Sequence, residues 1–375
     1  MAELLTDYIR WRGDLSFEQS PFNEIDNLIL SEMCYLDLVN VLKRDGIDAR
    51  TFRECYEQIV EKDCYRLLTV NGGNQDFIEA AAFSKRFGDL TVCQFTDVID
   101  EKTQFSAMHF ILNDSETYIA FRGTDSSIVG WKEDFMMSFT RIPAQEQASQ
   151  YTSMTMEPGR IYYLGGHSKG ANLAAYAGCH LEDEKLFQVH RIFMNDGPGF
   201  CSDVYDLIML DRIRDKVVCI VPEYDVIGQL FACAGFTQKI VGSAYSGIMQ
   251  HDIVSWCVSG PHLDLKEELD QGSVFINEVI SRWVEELDHE DRMIFVSEFF
   301  DALAAGGAQR LEEITSKGTM NLLEVAKAMI STSEQAKKAV MNLPKSAVDL
   351  ASDQVREMIA ALREKTKKED KNAEG

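Results

Sequence analysis

Arg160-Ile161-Tyr162-Tyr163-Leu164-Gly165-Gly166-His167-Ser168-Lys169-Gly170-Ala171-Asn172-Leu173-Ala174-Ala175-Tyr176-Ala177 runs from an apolar segment, through a serine bracketed by glycines, into small helix-forming residues. Strand, G-x-S-x-G, helix is the context of a nucleophile elbow. So tight a turn holds its serine in a strained backbone conformation with Oγ presented outward. The flanking glycines let strand and helix pass close together. The five-residue match has little specificity by itself; the apolar strand before it and the helix after it supply that specificity.

Outward from this segment the chain alternates. A helix is expected over Ala144–Thr155, a strand over Arg160–Gly165, and the elbow helix from Ser168 to about Leu181. Strands at His190–Met194, Lys216–Val221 and Lys239–Gly242 follow, with a helix over Cys201–Leu210 between the first two. Helices alternating with apolar strands predict a mainly parallel sheet flanked by helices, an α/β architecture. Upstream, Leu90–Ile99, Phe105–Leu112 and Thr117–Phe121 are separated by the turn clusters Asp100-Glu101-Lys102 and Asn113-Asp114-Ser115, which reads as an antiparallel meander. Residues 1–89 read as mostly helical, with helices over Leu28–Val39, Phe52–Ile59 and Gln75–Ser84. Residues 266–362 read as C-terminal helices, and the charged end, 363–375, as a disordered tail. The expected organisation is therefore a helical N-terminal segment (1–89) packed on a core (90–265), then the C-terminal helices and tail.

Composition narrows the function. A formal charge of −24 argues against nucleic acid as a partner and against adhesion of the whole surface to anionic membranes. No apolar run is long enough for a transmembrane helix. Met1–Tyr8 lacks the basic start and apolar core of a signal peptide, which predicts a cytoplasmic chain. The cysteines number nine, an odd count without a CxxC pair, so reduced thiols are expected rather than a disulfide framework or a zinc site. Nothing in the sequence sets the oligomeric state.

A serine hydroxyl needs a base to take its proton and a carboxylate to orient that base. In α/β-hydrolase sheets these follow the serine in the order acid, then histidine. Asp225 follows the apolar strand Lys216–Val221 and is the favoured acid. Asp196, in Asn195-Asp196-Gly197-Pro198-Gly199, is the competitor, read as a turn-forming side chain. Of the downstream histidines His251 and His262, His251 is the better placed base. The oxyanion needs preorganised donors: the Lys169 backbone N–H, and Thr124 in the turn after the strand Thr117–Phe121. No metal or organic cofactor is required.

Phe121-Arg122-Gly123-Thr124, then Trp131-Lys132-Glu133-Asp134, then Gly166-His167-Ser168-Lys169-Gly170 resemble, in order, the F-R-G-[ST], W-x-x-D and G-H-S-x-G motifs of class 3 lipases. Asp225-Val226 and His251 fit the positions of that family's acid and base, and the resemblance spans roughly residues 85–260. It implies an α/β-hydrolase fold and cleavage of carboxylic esters. A closer resemblance is to a functionally uncharacterised bacterial group allied to those lipases. That group pairs a G-H-S-K-G elbow with an N-terminal segment like Gly13–Phe17 through Ser20–Asn27.

Two departures bear on substrate. Lys169 stands where the lipases carry Leu. It is either a cation suited to an anionic headgroup or a solvated side chain on the first helical turn. The missing signal peptide also argues against bulk extracellular fat. The resemblance places a lid at residues 126–131, where Ile128, Val129 and Trp131 would either meet an acyl chain or pack in the core. The expected substrate is a small-molecule or lipid ester, lysophospholipid included.

Overall fold

The computed structural model describes residues 2–42, 49–69, 75–99, 104–124, 136–137, 140–200, 206–225, 227–229, 236–270, 273–274, 293 and 297. Contacts divide the chain into two units, one of Met1–Asp125 with Met137–Asp270, the other of Ser126–Met136 with Gln271–Gly375. The second unit falls almost wholly outside the described residues, and with it the expected C-terminal helices, the tail, and Ile128, Val129 and Trp131.

The first unit is an α/β-hydrolase fold. Its strands in chain order are β1 (Glu3–Leu4), β2 (Arg50–Thr51), β3 (Thr91–Ile99), β4 (Gln104–Ile111), β5 (Glu116–Phe121), β6 (Ile161–His167), β7 (Val189–Asn195), β8 (Val217–Pro222), β9 (Thr237–Val241), β10 (Cys257–Ser259), β11 (His262–Leu263) and β12 (Leu265–Lys266). Nine form one sheet of order β12-β9-β8-β7-β6-β5-β4-β3-β2. From β5 to β9 every pairing is parallel, as the alternating pattern predicts. The meander β3-β4-β5 is antiparallel, as is β2 on its outer edge. β1, β10 and β11 make a small second sheet.

The central strands are apolar because both of their faces are covered. Along β5, Tyr118 and Ala120 enter one core while Ile119 and Phe121 enter the other. The helices in chain order are α1 (Leu5–Arg12), α2 (Glu24–Met33), α3 (Phe52–Glu61), α4 (Gln75–Phe83), α5 (Lys85–Gly88), α6 (Pro143–Thr155), α7 (Lys169–Cys179), α8 (Asp183–Gln188) and α9 (Leu207–Asp211). The first four helices pack into the Tyr118 core, and α6 and α7 pack into the Phe121 core.

The helix expected over Leu28–Val39 is corrected. It starts earlier, at Glu24, because the Asn23 side chain accepts from the Ile25 and Asp26 N–H groups while Asp26 Oδ2 accepts from the Asn23 N–H, a reciprocal cap. It ends at Met33, where Tyr35 N–H and Leu36 N–H turn back onto Glu32 and Met33 carbonyls. Leu36 then bridges to Leu67 as an extended residue. Apolar spacing alone could not separate a helical Leu36 from one buried in a bridge.

Within the first unit, residues 15–26 are held by Arg86. Its Nε donates to Asp26 Oδ1 at 2.7 Å and its Nη2 to Asp26 Oδ2 at 2.6 Å. The remaining guanidinium protons reach the carbonyls of Leu15, Ser16, Ser20 and Pro21. The guanidinium lies 3.8 Å from the Phe17 ring centroid. Every charge here is buried and every donor engaged, so removing one partner strands the other. Asp26→Asn should lower the unfolding free energy by about 3–5 kcal/mol in urea titration; a loss below about 1 kcal/mol would show that the pair is dispensable.

Candidate active site

The elbow forms as its glycines predict. Ser168 joins β6 to α7 with φ 56° and ψ −127°, a left-handed conformation that costs of order 1–3 kcal/mol in a non-glycine residue. A Cβ on Gly170 would lie 2.0 Å from the Phe121 carbonyl oxygen, so only glycine lets α7 start this close to β5. The turn is fixed from the neighbouring strand: Ser168 N–H donates to Asn195 O at 3.0 Å, and Asn195 Nδ2 donates to Gly166 O at 2.9 Å.

His251 ends a 3₁₀ turn, Gly247–His251, and is buried. The turn is pinned by Trp256 Nε1, which donates to Gln250 O at 2.7 Å, and by Gln250 Oε1, which accepts from Tyr224 N–H at 2.9 Å. His251 Nδ1 is hydrogen-bonded to Asp196 Oδ2 at 2.7 Å. The sequence favours Asp225 as the acid, whereas the carboxylate hydrogen-bonded to His251 Nδ1 is that of Asp196. Asp196 directly follows β7, the strand beside β6, whereas Asp225 follows β8, one strand further out. The Gly-Pro-Gly context does mark a turn, and that turn, with Asp196 at φ 46°, carries the carboxylate to the histidine.

Asp225 stands behind Asp196. Gly228 N–H donates to both carboxylates, at 2.9 Å to Asp196 Oδ1 and 2.7 Å to Asp225 Oδ1, and Gln229 Nε2 donates to Asp225 Oδ2 at 2.8 Å. Two buried carboxyls sharing one N–H cannot both ionise cheaply. Burial, then the Asp196 charge and a hydrogen bond with Asp196, pushes Asp225 well above the usual carboxylate range. Burial pushes Asp196 up to about 7, opposed by the Asp225 hydrogen bond and the Gly228 N–H.

Thr124 and Lys169 are both buried, Lys169 at 1 % exposure, which rules out the solvated reading of its side chain. Arg122, before Thr124, pairs with buried Asp97 at 2.8 Å, anchoring the loop to β3. His262 is exposed on β11, away from a role as base. His167 lies against His251, with ring centroids 4.5 Å apart and ring planes inclined at 39°. The donor atoms of His167, Asp196 and His251 lie within 4.8 Å of one another, as a cation would need. The Asp196 oxygen is already engaged by His251 Nδ1, so a metal would have to displace that hydrogen bond.

Among solved structures, the chain is similar to M37 lipase at 17 % identity, over 56 % of this chain and 70 % of that one, with a TM-score of 0.33. It is similar to Rhizomucor miehei lipase in a propeptide complex at 18 % identity, over 61 % and 79 %, with a TM-score of 0.31. It is also similar to Lip2 lipase from Yarrowia lipolytica at 14 % identity, over 50 % and 77 %, with a TM-score of 0.30. No curated protein matches the chain. No described helix is long and apolar enough to cross a membrane. Residues 81–301, more than half of the chain, match the model of the Mbeg1-like family.

The carboxyl pair makes stability depend on pH. Folded, it holds a proton that unfolded carboxyls, with pKa values of about 4, release. Its contribution is complete below about pH 4 and declines as pH rises above that, with Asp196 itself titrating at about 7 and Asp225 held well above the usual carboxylate range. Asp225→Asn keeps a hydrogen-bonding side chain with no proton to lose. Between about pH 5 and 8 its melting temperature should fall less than that of the wild type. Parallel curves would mean that the pair does not share a proton.

Proposed function

The chain belongs to the Mbeg1-like family, and we propose that it is a serine hydrolase cleaving carboxylic esters through an acyl-enzyme. One observation carries this reading: a buried histidine–carboxylate pair at 2.7 Å in the same unit as a serine held at φ 56° between a parallel strand and a helix. A strained serine at a strand-to-helix turn has no stabilising value, so its backbone cost is accounted for by what it presents.

Ser168 Oγ attacks the ester carbonyl while His251 takes its proton. The Asp196 carboxylate holds the His251 Nδ1–H, fixing the tautomer that leaves Nε2 as the base and stabilising the imidazolium that forms. The proton retained by Asp225 neutralises part of the Asp196 cluster without competing for the histidine. Negative charge on the carbonyl oxygen is met by the Lys169 N–H at the start of α7 and by Thr124. His251 returns the proton to the departing alkoxide, giving the alcohol and a Ser168 ester. Water, deprotonated by His251, then releases the acid. The substrate class is a small-molecule or lipid ester, lysophospholipid included.

A fluorophosphonate probe tests the reading directly. Folded wild-type protein should be labelled, with the label on Ser168 and absent from Ser168→Ala. Turnover of p-nitrophenyl esters should fall at least about 10³-fold in Ser168→Ala and His251→Ala, and about 10⁴-fold in Asp196→Asn, where the wrong tautomer is held. Asp225→Asn and His262→Ala should stay near the wild-type rate. Failure of folded wild-type protein to label would make the chain a binding protein on a hydrolase fold.

A further inference from the structure

We propose that Tyr35 is a positioning residue for this reaction, joining the oxyanion loop, the elbow and the base; the assignment rests on the hydrolase reading above. The Tyr35 hydroxyl is hydrogen-bonded with His167 Nδ1 at 3.2 Å and lies 3.3 Å from His167 O, to which it can donate. It also fills the place of a side chain at Gly123, where a Cβ would lie 2.1 Å from the hydroxyl oxygen and 2.6 Å from His167 O. One hydroxyl thus touches the loop that leads to Thr124 and both the ring and the backbone of the residue before Ser168.

His167 passes this placement on. Its ring packs against His251 on one side and lies 6.1 Å, centroid to centroid, from Tyr35. Burial, then the proximity of His251, holds His167 well below the usual histidine range, so it stays uncharged beside a base that must become charged. Asp196 fixes His251 along the Nδ1 direction. A hydrogen bond at one ring nitrogen leaves tilting about that bond open, and the His167 ring, 4.5 Å away between centroids, limits it.

Tyr35 is itself held from below. Asn27 Nδ2 donates to Asn195 Oδ1 at 2.9 Å, and Ser31 Oγ is hydrogen-bonded to Tyr118 Oη at 2.8 Å, tying α2 to β7 and β5. The turn after α2 then delivers Tyr35 to the elbow. The N-terminal segment, upstream of the family match at 81–301, in this way contributes to the site.

The test compares Tyr35→Phe with Tyr162→Phe. Both delete one buried hydroxyl, but only the first touches His167; the Tyr162 hydroxyl accepts from Glu157 N–H at 2.8 Å. Tyr35→Phe should lower kcat by about ten- to a hundredfold, the cost of a small misplacement of a catalytic group, with KM changed less than about twofold. Tyr162→Phe should lower the melting temperature and leave kcat within about twofold. Histidine side-chain ¹⁵N spectra across pH supply a readout independent of turnover: Tyr35→Phe should shift the resonances of His167 and the titration of His251, and Tyr162→Phe should shift neither. Unchanged kcat and unchanged histidine spectra in Tyr35→Phe would overturn the proposal. If wild-type protein neither labels nor turns over ester, the hydrolase reading fails, while the spectra still decide whether Tyr35 sets the His251 environment.

Discussion

The site depends on how closely α7 approaches β5. With a Cβ on Gly170 the helix could not begin where it does, because the Phe121 carbonyl occupies that space. Moved outward, α7 would carry the Lys169 N–H away from the turn holding Thr124, and Ser168 would relax from its left-handed conformation. The contact also couples two loops far apart in sequence, so the proposed oxyanion donors and nucleophile are set by one backbone packing distance rather than by separate side chains.

Beneath this contact lies a polar layer that an apolar core could have replaced. Asn27, Ser31, Tyr118 and Asn195 exchange hydrogen bonds between α2 and the sheet, and each is buried. Such a network contributes little net stability but has a single satisfied geometry. Directly below the elbow, that specificity fixes the register of α2 against β6 and β7. A sliding apolar contact would leave Tyr35, and everything it touches, free to shift.

Much of this architecture is legible in the sequence because its signals are local. Glycine spacing marks Ser168, apolar runs mark β5 to β8, and chain order singles out His251. The carboxylate beside His251 is not local. Asp196 and Asp225 each follow an apolar strand, and choosing between them requires the lateral order of β6, β7 and β8, which periodicity does not encode. Turn chemistry also misleads at Asp196, since a residue can both form a turn and point a carboxylate from it. Tyr35 lies in no motif, and His167, though part of G-H-S-K-G, is not marked there as a positioning residue; their meaning arises only when residues 132 positions apart meet.

The small sheet made by β1, β10 and β11 pairs Leu4 with Cys257, which bears on the order in which the protein assembles. During synthesis α1 and α2 leave the ribosome long before Asn195 or Cys257 exists to receive them. Helix α2 is buried along nearly all of its length in the finished molecule, so the nascent chain displays an apolar helix with no partner for most of its elongation. Contacts this distant are slow to close and leave sticky surface exposed meanwhile. Docking of the N-terminal segment is thus set by contacts with residues made last rather than by its own local folding.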